Sequence, residues 1–149
     1  MRLRLPPIYN FSPANILVDK NSLAVKIVVT EDLFKRDSRT VRLSKDDLLY
    51  MSPEELLGKG KSLTTPFWVL GCLLYEAKFG ANPFRTHLKT RVTEEFIKFY
   101  PCMFPEDQDP PSEDFSSLIL HLLIKDPLQR LGSDSFEREM LEHPYFKNE

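Results

Sequence analysis

The strongest hydrophobic pattern in the chain runs from Thr64 to Gly80, TTPFWVLGCLLYEAKFG. Apolar residues are so frequent in this run that a helix built from it is apolar on every side, which is typical of a helix in a protein interior. At about 14 residues it is too short for a bilayer, which needs roughly 20. Thr64 or Thr65 can serve as the N-cap, Pro66 suits the first helical position, and Gly80 can end the helix in a left-handed conformation. We therefore predict a buried central helix.

Two short β-branched runs near the start predict a small β-hairpin. They are Ile16 to Val18 and Val25 to Val29, and the polar residues 19–22 between them supply turn chemistry. Residues 30–47 are polar and charged with no sustained period, so we predict an exposed loop there. Residues 1–14 contain three prolines and are predicted to be irregular.

A second strong helix is predicted from Glu113 to Ile124. Ser112 precedes it as an N-cap, and its larger apolar residues fall on one face. These residues are Phe115, Leu118, Ile119, Leu122 and Leu123.

Three shorter helical segments complete the pattern. The YMSPEELL run, Tyr50 to Leu57, predicts a turn leading into a short helix. Val92 to Tyr100 predicts an amphipathic helix capped by Thr93, and Phe136 to Leu141 predicts a last helix before HPYF. Residues 81–91 are interpreted as a connector and the acidic, proline-rich residues 101–111 as a loop. Helices therefore dominate the predicted fold.

The overall composition excludes several classes of function. A chain of 149 residues forms one domain at most, and its 42% apolar content is enough for a core. The formal charge of −2 does not suggest a nucleic-acid partner. The start, MRLRLPP, has no apolar run long enough for a signal peptide, and we predict no membrane partner. The expected location is the cytosol or the nucleus.

The cysteines and histidines do not form a metal-binding pattern. Cys72 and Cys102 cannot make a disulfide framework, and their spacing is not that of a zinc site. Cys72 falls in the central helix and is interpreted as an inert core residue. The three histidines, His87, His121 and His143, are scattered, so no metal site is expected.

The stretch from Tyr50 to Phe84 resembles the large (C-terminal) lobe of a protein kinase. In that family a Pro-Glu pair follows the activation loop, and a W-S-L-G-C-x-L-Y-E helix leads to a Gly and a Pro-Phe pair. The matching residues are Pro53-Glu54, Trp68 to Glu76, Gly80 and Pro83-Phe84. The resemblance implies a mainly α fold: a kinase-like C-lobe with a small β-hairpin near the N-terminus and a central buried helix.

The later motifs resemble AGC-group serine/threonine kinases. The family has an Arg in a D-P-x-x-R context, which here is Asp126 to Arg130 within KDPLQRLG. The GKGKS run after Pro-Glu-Glu and the closing LEHPYF are also similar to that group, and the resemblance extends from Asn10 onward. It implies structural roles for Trp68 and Gly71 and an ion pair between Glu54 and Arg130. Removing one partner of such a buried pair costs about 3–5 kcal/mol.

The catalytic positions implied by the resemblance are degenerate. The family's catalytic loop H-R-D-x-K-x-x-N corresponds to residues 8–15, where Asn10 replaces the Asp and Ser12 replaces the Lys. An amide cannot accept a proton near neutral pH, so a general-base contribution of roughly 10²–10⁴-fold is lost. Asn15, the metal-ligand position of the loop, is the one residue retained. Tyr9 replaces the loop Arg that binds an activation-loop phosphate, so phosphorylation of residues 38, 40 or 44 is not expected to act as a switch.

The family's metal-binding D-F-G corresponds to Val29-Thr30-Glu31, and valine offers no oxygen to magnesium. Asp32 or Glu31 could substitute if the segment slipped by a few residues; otherwise both are solvated loop acids. Asp47 stands where the family has a Thr that touches the catalytic Asp. Pro66 replaces an Asp that accepts hydrogen bonds from the backbone of the catalytic loop.

Three hypotheses follow. The first is a degenerate kinase C-lobe, a pseudokinase fragment that acts by binding a protein partner or a missing N-lobe. On this view residues 1–149 form one partial kinase-like domain without the N-lobe, and no cofactor is expected. The alternatives are a fragment or isoform of an active serine/threonine kinase, which would use ATP and Mg²⁺, and an unrelated helical interaction domain. No G-x-G-x-x-G phosphate loop occurs in the 149 residues. A missing N-lobe would leave the hairpin and the residues before Asn10 bare, which would promote association.

Overall fold

The computed structural model describes residues 7–36, 47–85 and 94–147, and it is mainly helical. Two strands, β1 (Ile16–Val18) and β2 (Val25–Ile27), come first along the chain. The α-helices follow in this order: α1 (Pro53–Leu56), α2 (Thr65–Phe79), α3 (Glu94–Phe99), α4 (Glu113–Leu122), α5 (Phe136–Glu142) and α6 (Pro144–Lys147). Short 3₁₀ turns cover Pro13–Asn15, Glu31–Phe34 and Asp47–Tyr50. The predicted fold class, mainly α with a hairpin near the N-terminus, is confirmed.

The central helix α2 is buried as its composition predicts. Trp68, Cys72 and Tyr75 are fully buried, and the indole of Trp68 stacks on the ring of Phe84 with centroids 5.4 Å apart. The helix ends at Gly80, whose φ of 76° is the predicted left-handed conformation. These contacts place α2 at the centre of the core.

The predicted side-chain cap of α2 is wrong. Thr64 occupies the N-cap position, but its hydroxyl donates to the carbonyl of Pro127 at 2.9 Å and makes no capping hydrogen bond. The hydroxyl of Thr65 donates to Glu54 Oε1 at 3.0 Å. Pro66 lies at the second helical position rather than the first. Both threonines connect the helix start to other segments, which a local capping rule does not anticipate.

Helices α2 and α4 approach each other closely at Gly71. A Cβ atom at this glycine would lie 2.8 Å from Leu123 Cδ2 and 2.9 Å from Leu122 Cβ. Real Cβ atoms do not come so close to other atoms, so only glycine fits here without displacing α4. Leu118, Ile119 and Leu122 of α4 are fully buried. This explains a glycine in the middle of a helix, where its intrinsic propensity is poor.

The predicted hairpin is present. β1 and β2 pair antiparallel with Ile16 opposite Ile27, Leu17 opposite Lys26 and Val18 opposite Val25. Strand β2 ends at Ile27, so Val28 and Val29 lie outside it.

The predicted exposed loop over residues 30–47 is wrong in part. Glu31–Phe34 forms a 3₁₀ turn, and Leu33 at its centre is only 1% exposed. A single leucine in a polar stretch has no periodicity to reveal it, although it joins the core. Residues 37–46, which include Ser38, Thr40 and Ser44, lie outside the described residues.

The other helices agree with the predictions apart from their ends. The hydroxyl of Ser112 accepts from the N–H of Phe115 as the predicted cap of α4, which ends at Leu122 rather than Ile124. Thr93, the predicted cap of α3, lies outside the described residues, as does much of the 81–91 connector. The HPYF segment forms its own short helix, α6, because Pro144 suits a first helical position.

Both cysteines are free and buried. Burial raises the pKa of Cys102 to about 12 and also raises that of Cys72, so neither thiol ionises readily. This agrees with an inert core role for Cys72. Within the described ranges, no helix is long and apolar enough to cross a membrane.

Candidate functional site

A cleft of about 300 Å³ lies between the loop of residues 9–15, the 31–34 turn and the start of α2. Apolar and polar side chains line it together. The lining residues are Tyr9, Asn10, Phe11, Ser12, Asn15, Thr30, Asp32, Leu33, Tyr50, Met51, Glu55, Lys61, Thr65 and Val69. Asn10, Ser12 and Asn15 of the catalytic-loop positions therefore meet at one cleft, together with Tyr9 and Asp32, whereas Val29 is not in its wall.

Asn10 is held by two backbone carbonyls. Its Nδ2 donates to the carbonyl oxygen of Asp32 at 2.6 Å and to that of Lys35 at 2.7 Å. Because both neighbours are acceptors, the amide nitrogen must face them, and the orientation of the side chain is unambiguous. Both amide hydrogens are thus used in joining the 9–15 loop to the turn that follows the hairpin.

The backbone of the same loop is attached to the same turn. The N–H groups of Tyr9 and Asn10 donate to the carbonyl of Leu33 at 2.7 and 3.0 Å. The resemblance implies that an Asp at position 66 would receive such hydrogen bonds, and Pro66 cannot. Leu33 therefore supplies an acceptor that the start of α2 lacks.

The side chain of Asn15 also makes hydrogen bonds that hold the local backbone. Its Oδ1 accepts from the backbone N–H of Ser12 at 3.2 Å and from the hydroxyl of Ser12 at 3.0 Å. Its Nδ2 donates to the carbonyl of Val28 at 3.4 Å, at the end of the hairpin. The pair Ser12–Asn15 thus closes the 3₁₀ turn between them and links it to the hairpin.

The acidic residues after the hairpin do not assemble a metal site in the described part of the chain. The side chain of Val29 is 62% exposed. Asp32 reaches the cleft, but its carboxylate accepts from the ammonium of Lys35, and both side chains are largely exposed. Across residues 7–36, 47–85 and 94–147, no group of three or more His, Cys, Asp or Glu side chains has a metal-binding arrangement.

Beneath the cleft, the expected pair of Glu54 and Arg130 is present. Arg130 donates from Nη1 and Nη2 to the two carboxylate oxygens of Glu54, each at 2.8 Å, and both side chains are buried. The hydroxyls of Ser62 and Thr65 donate to Glu54 Oε1, each at 3.0 Å. Arg130 also donates to the carbonyl of Ile124 at 3.0 Å. The charges are therefore paired and hydrogen-bonded, as buried charges require.

The surroundings of Glu54 keep it ionised. Burial by itself would raise its pKa, but the hydrogen bonds and the positive charge of Arg130, with the hydroxyl of Thr65, outweigh burial and lower the pKa. The bridge joins α1 to the segment after α4 across 76 residues of sequence.

Sequence reasoning missed the contacts of a partly buried cation, Lys125. The ammonium of Lys125 donates to the carbonyl of Ile97 at 2.8 Å and lies 4.8 and 4.5 Å from the ring centroids of Trp68 and Phe84. Burial lowers its pKa to about 8. The stacked rings supply a cation–π contact, and no local sequence signal distinguishes this lysine from an exposed one.

Two further contacts in the cleft wall were also missed. The hydroxyl of Tyr50 donates to Glu76, and burial together with this contact raises the pKa of Tyr50. Lys61 and Glu55 form a second buried ion pair at 3.6 Å. Lys61 stands in a GKGK run with the composition of a surface turn, so only the three-dimensional structure reveals that it is buried.

The protein-kinase-domain family model matches residues 11–146, nearly the whole chain. The chain belongs to the protein kinase family. It is 38% identical over 99 residues to the serine/threonine-protein kinase YPK2/YKR2 of Saccharomyces cerevisiae and 35% identical over 100 residues to the serine/threonine-protein kinase KIPK2 of Arabidopsis thaliana. It is 33% identical over 121 residues to the serine/threonine-protein kinase ULK4 of Mus musculus.

These alignments cover 66%, 66% and 79% of this chain but only 14%, 10% and 9% of the respective relatives. The chain thus spans a small part of the length of the curated relatives that it matches. Kinase-family membership and similarity to AGC-like serine/threonine kinases are confirmed, and the hypothesis of an unrelated helical domain is excluded.

Proposed function

We propose that this chain is a catalytically inactive kinase C-lobe, a pseudokinase module that acts by binding another protein. The observation that supports this most directly is the pair of hydrogen bonds that the side chain of Asn10 makes. The resemblance puts the proton-accepting Asp at this position, and here an amide donates both of its hydrogens to backbone carbonyls. A carboxylate cannot make these two contacts, so the local fold depends on the residue type that removes the general base.

The neighbouring positions support the same proposal. Ser12 and Asn15 hydrogen-bond each other, and Val29 offers no ligand to a metal. Three changes are therefore independent of one another: the general base, the phosphate-binding cation and one metal ligand are each lost. All three affect phosphoryl transfer. We therefore expect no magnesium-dependent transfer by this chain.

Labelled ATP tests this expectation. The chain is incubated with radiolabelled ATP, Mg²⁺ and a general acceptor protein, beside an active serine/threonine kinase as positive control. We expect incorporation at the level of a no-enzyme blank. Incorporation that needs Mg²⁺ and is lost in Asn10→Ala would overturn the proposal and favour the alternative of an active kinase fragment.

The hairpin supports a binding role. One face of it carries four aliphatic side chains in two cross-strand pairs, Ile16 with Ile27 and Val18 with Val25. Three of these side chains are 50–64% exposed. An isolated two-stranded hairpin is only marginally stable in water, and exposed apolar patches mark interaction surfaces. A protein partner or a kinase N-lobe that covers this aliphatic face would stabilise the hairpin.

Sedimentation velocity and binding of a dye for apolar surfaces test the role of the aliphatic face. We expect self-association or dye binding by the wild type and a marked reduction in the double variant Val18→Ser/Val25→Ser. Leu128→Ser is the matched control, because Leu128 is 82% exposed but lies on the loop after α4. A monomeric, dye-free wild type would contradict this part of the proposal.

A further inference from the structure

The end of α3 and the residues after it expose three large apolar side chains within a short stretch of chain. Phe99 is 67% exposed, and Tyr100 and Met103 are each 53% exposed. Single exposed hydrophobic side chains are ordinary on protein surfaces, whereas a contiguous group of them marks an interaction site. Aromatic side chains and methionine are also enriched in protein–protein interfaces. We call Phe99, Tyr100 and Met103 the aromatic surface.

The core fixes the backbone under the aromatic surface. Ile97 is fully buried in α3, and Phe99, two residues further on, lies on the other side of the helix. After the helix, the hydroxyl of Tyr75 donates to the carbonyl of Met103 at 2.8 Å, and Phe104 packs against the core. A surface on an ordered backbone loses little conformational entropy when a partner binds, which favours affinity.

The residues that flank the aromatic surface are strongly acidic. Residues 94–109 contain five carboxylates and one cation, a formal charge of −4, whereas the whole chain carries −2. The rest of the chain is therefore net positive, so the negative charge is local to this segment. The five acids are all exposed: Glu94, Glu95, Glu106, Asp107 and Asp109.

Neighbouring cations neutralise only part of this charge. Lys98 pairs with Glu94 at 3.1 Å. Among the described residues, the other four acids make no salt bridge. Lys78 lines a surface depression together with Asp107 and Asp109. If Lys78 is counted against one of them, three unneutralised carboxylates remain beside the aromatic surface.

We propose that the aromatic surface binds a segment of a partner protein in which Lys or Arg residues flank large apolar side chains. The apolar side chains of the partner cover Phe99 and Tyr100, and its cations meet the carboxylates of residues 106–109. Such charge complementarity selects a basic partner and disfavours an acidic one. The aromatic surface belongs to other elements than the aliphatic face of the hairpin, so the inference goes beyond the proposed function and does not depend on the loss of catalysis.

Fluorescence anisotropy of labelled peptides, titrated with the whole chain, tests this proposal. The probes are a short amphipathic peptide of leucine and lysine, the same peptide with glutamate in place of lysine, and a lysine peptide without leucine. We expect the leucine–lysine peptide to bind at least about tenfold more tightly than either of the others. Its affinity should decrease as the salt concentration rises, because salt screens exposed charges.

A double variant tests the apolar part of the surface. Phe99→Ser/Tyr100→Ser should weaken binding of the leucine–lysine peptide at least about tenfold, because a few aromatic side chains carry most of the binding energy at interfaces. Leu141→Ser is the matched control, since Leu141 is 66% exposed but lies on α5. It should change the affinity less than about twofold.

A second double variant tests the acidic part. Glu106→Gln/Asp107→Asn should weaken binding at least about threefold, as expected for two exposed charge contacts. Glu31→Gln/Asp134→Asn removes two exposed acids elsewhere and should leave the affinity unchanged.

The hairpin variant Val18→Ser/Val25→Ser should bind the leucine–lysine peptide as the wild type does, which separates the aromatic surface from the aliphatic face. Circular dichroism establishes that each variant is folded. The proposal is overturned if the leucine–lysine peptide does not bind the wild type, or if the glutamate peptide binds equally well. It is also overturned if folded Phe99→Ser/Tyr100→Ser binds as the wild type does.

Discussion

The buried bridge under the cleft and the loop at its floor are both held by polar contacts, but in different ways. Glu54 and Arg130 make a paired, charged contact between side chains, and both residues match the family motif. The 9–15 loop is instead held by neutral hydrogen bonds, in which Asn10 and the backbone beside it donate to carbonyls of the 31–36 segment. The comparison suggests that the scaffold of the lobe can persist while the chemistry of its cleft is lost, because the two regions use separate contacts.

The largest expected effect is at the buried bridge. Arg130→Met leaves the carboxylate of Glu54 buried without its partner, so we expect a loss of about 3–5 kcal/mol in the free energy of unfolding. Urea denaturation followed by circular dichroism measures it. Arg138→Met is the control, because its ion pair with Glu142 is exposed and should contribute nothing measurable. Equal midpoints for the two variants would contradict the role assigned to the bridge.

The scaffold can also be tested where its two main helices touch. Gly71→Ala puts a methyl group against Leu122 and Leu123, and overpacking of this kind costs about 1–3 kcal/mol. The control is Ala77→Gly, at an exposed position in the same helix, which should cost about 0.5–1 kcal/mol through helix propensity alone. Thermal and urea unfolding give both values. A stabilised Gly71→Ala would mean that propensity outweighs the close approach of α2 and α4.

At the cleft floor, restoring the family residue is expected to destabilise the chain. Asn10→Asp puts a carboxylate in front of the carbonyls of Asp32 and Lys35, so we expect a loss of about 1–3 kcal/mol and no gain of phosphate transfer. Asn21→Asp, in the exposed hairpin turn, controls for the change of charge. Urea unfolding and the labelled-ATP assay are the measurements. A variant as stable as the wild type would show that the two hydrogen bonds do not hold the loop.

The smallest expected effect is a pH dependence of stability that arises at His143, between α5 and α6, and not at the buried bridge or the cleft floor. His143 Nδ1 accepts from the N–H of Tyr145 at 3.3 Å, and Nε2 lies 3.3 Å from the hydroxyl of Ser117. Burial is the main cause that lowers the pKa of His143 below 6.5, and the charge of His121 lowers it further. The negative charge of Asp114 opposes this shift but does not cancel it. The unfolded chain then binds more protons below pH 6.5.

Stability should therefore be complete above that pH and fall as the pH decreases through it. Urea unfolding at about pH 8 and about pH 5.5 measures the difference. The variant His143→Gln should lose part of this pH dependence. An identical pH dependence in the wild type and the variant would exclude His143 as its source.

Much of the fold followed from local patterns. The apolar run of α2 has no polar face, so burial was its one stable solution. Gly80 ends α2 through its left-handed backbone conformation, and Ser112 begins α4 through the hydrogen bond that its side chain accepts. The hairpin followed from two β-branched runs and the turn between them. The Glu54–Arg130 contact was expected only through the family resemblance, since nothing in the local sequence of either residue points to the other.

The sequence by itself therefore determined most of the elements, their order and the residue types at the cleft. Only the tertiary structure decided what these residues do there: that the amide of Asn10 meets carbonyls 22 and 25 residues away, that Leu33 joins the core, and that Lys61 is buried. The physical reason is the distance along the chain over which each kind of interaction acts. Propensity, capping and periodicity act over a few residues, whereas a hydrogen-bond partner or a buried charge is set by segments that are distant in sequence and adjacent only after folding.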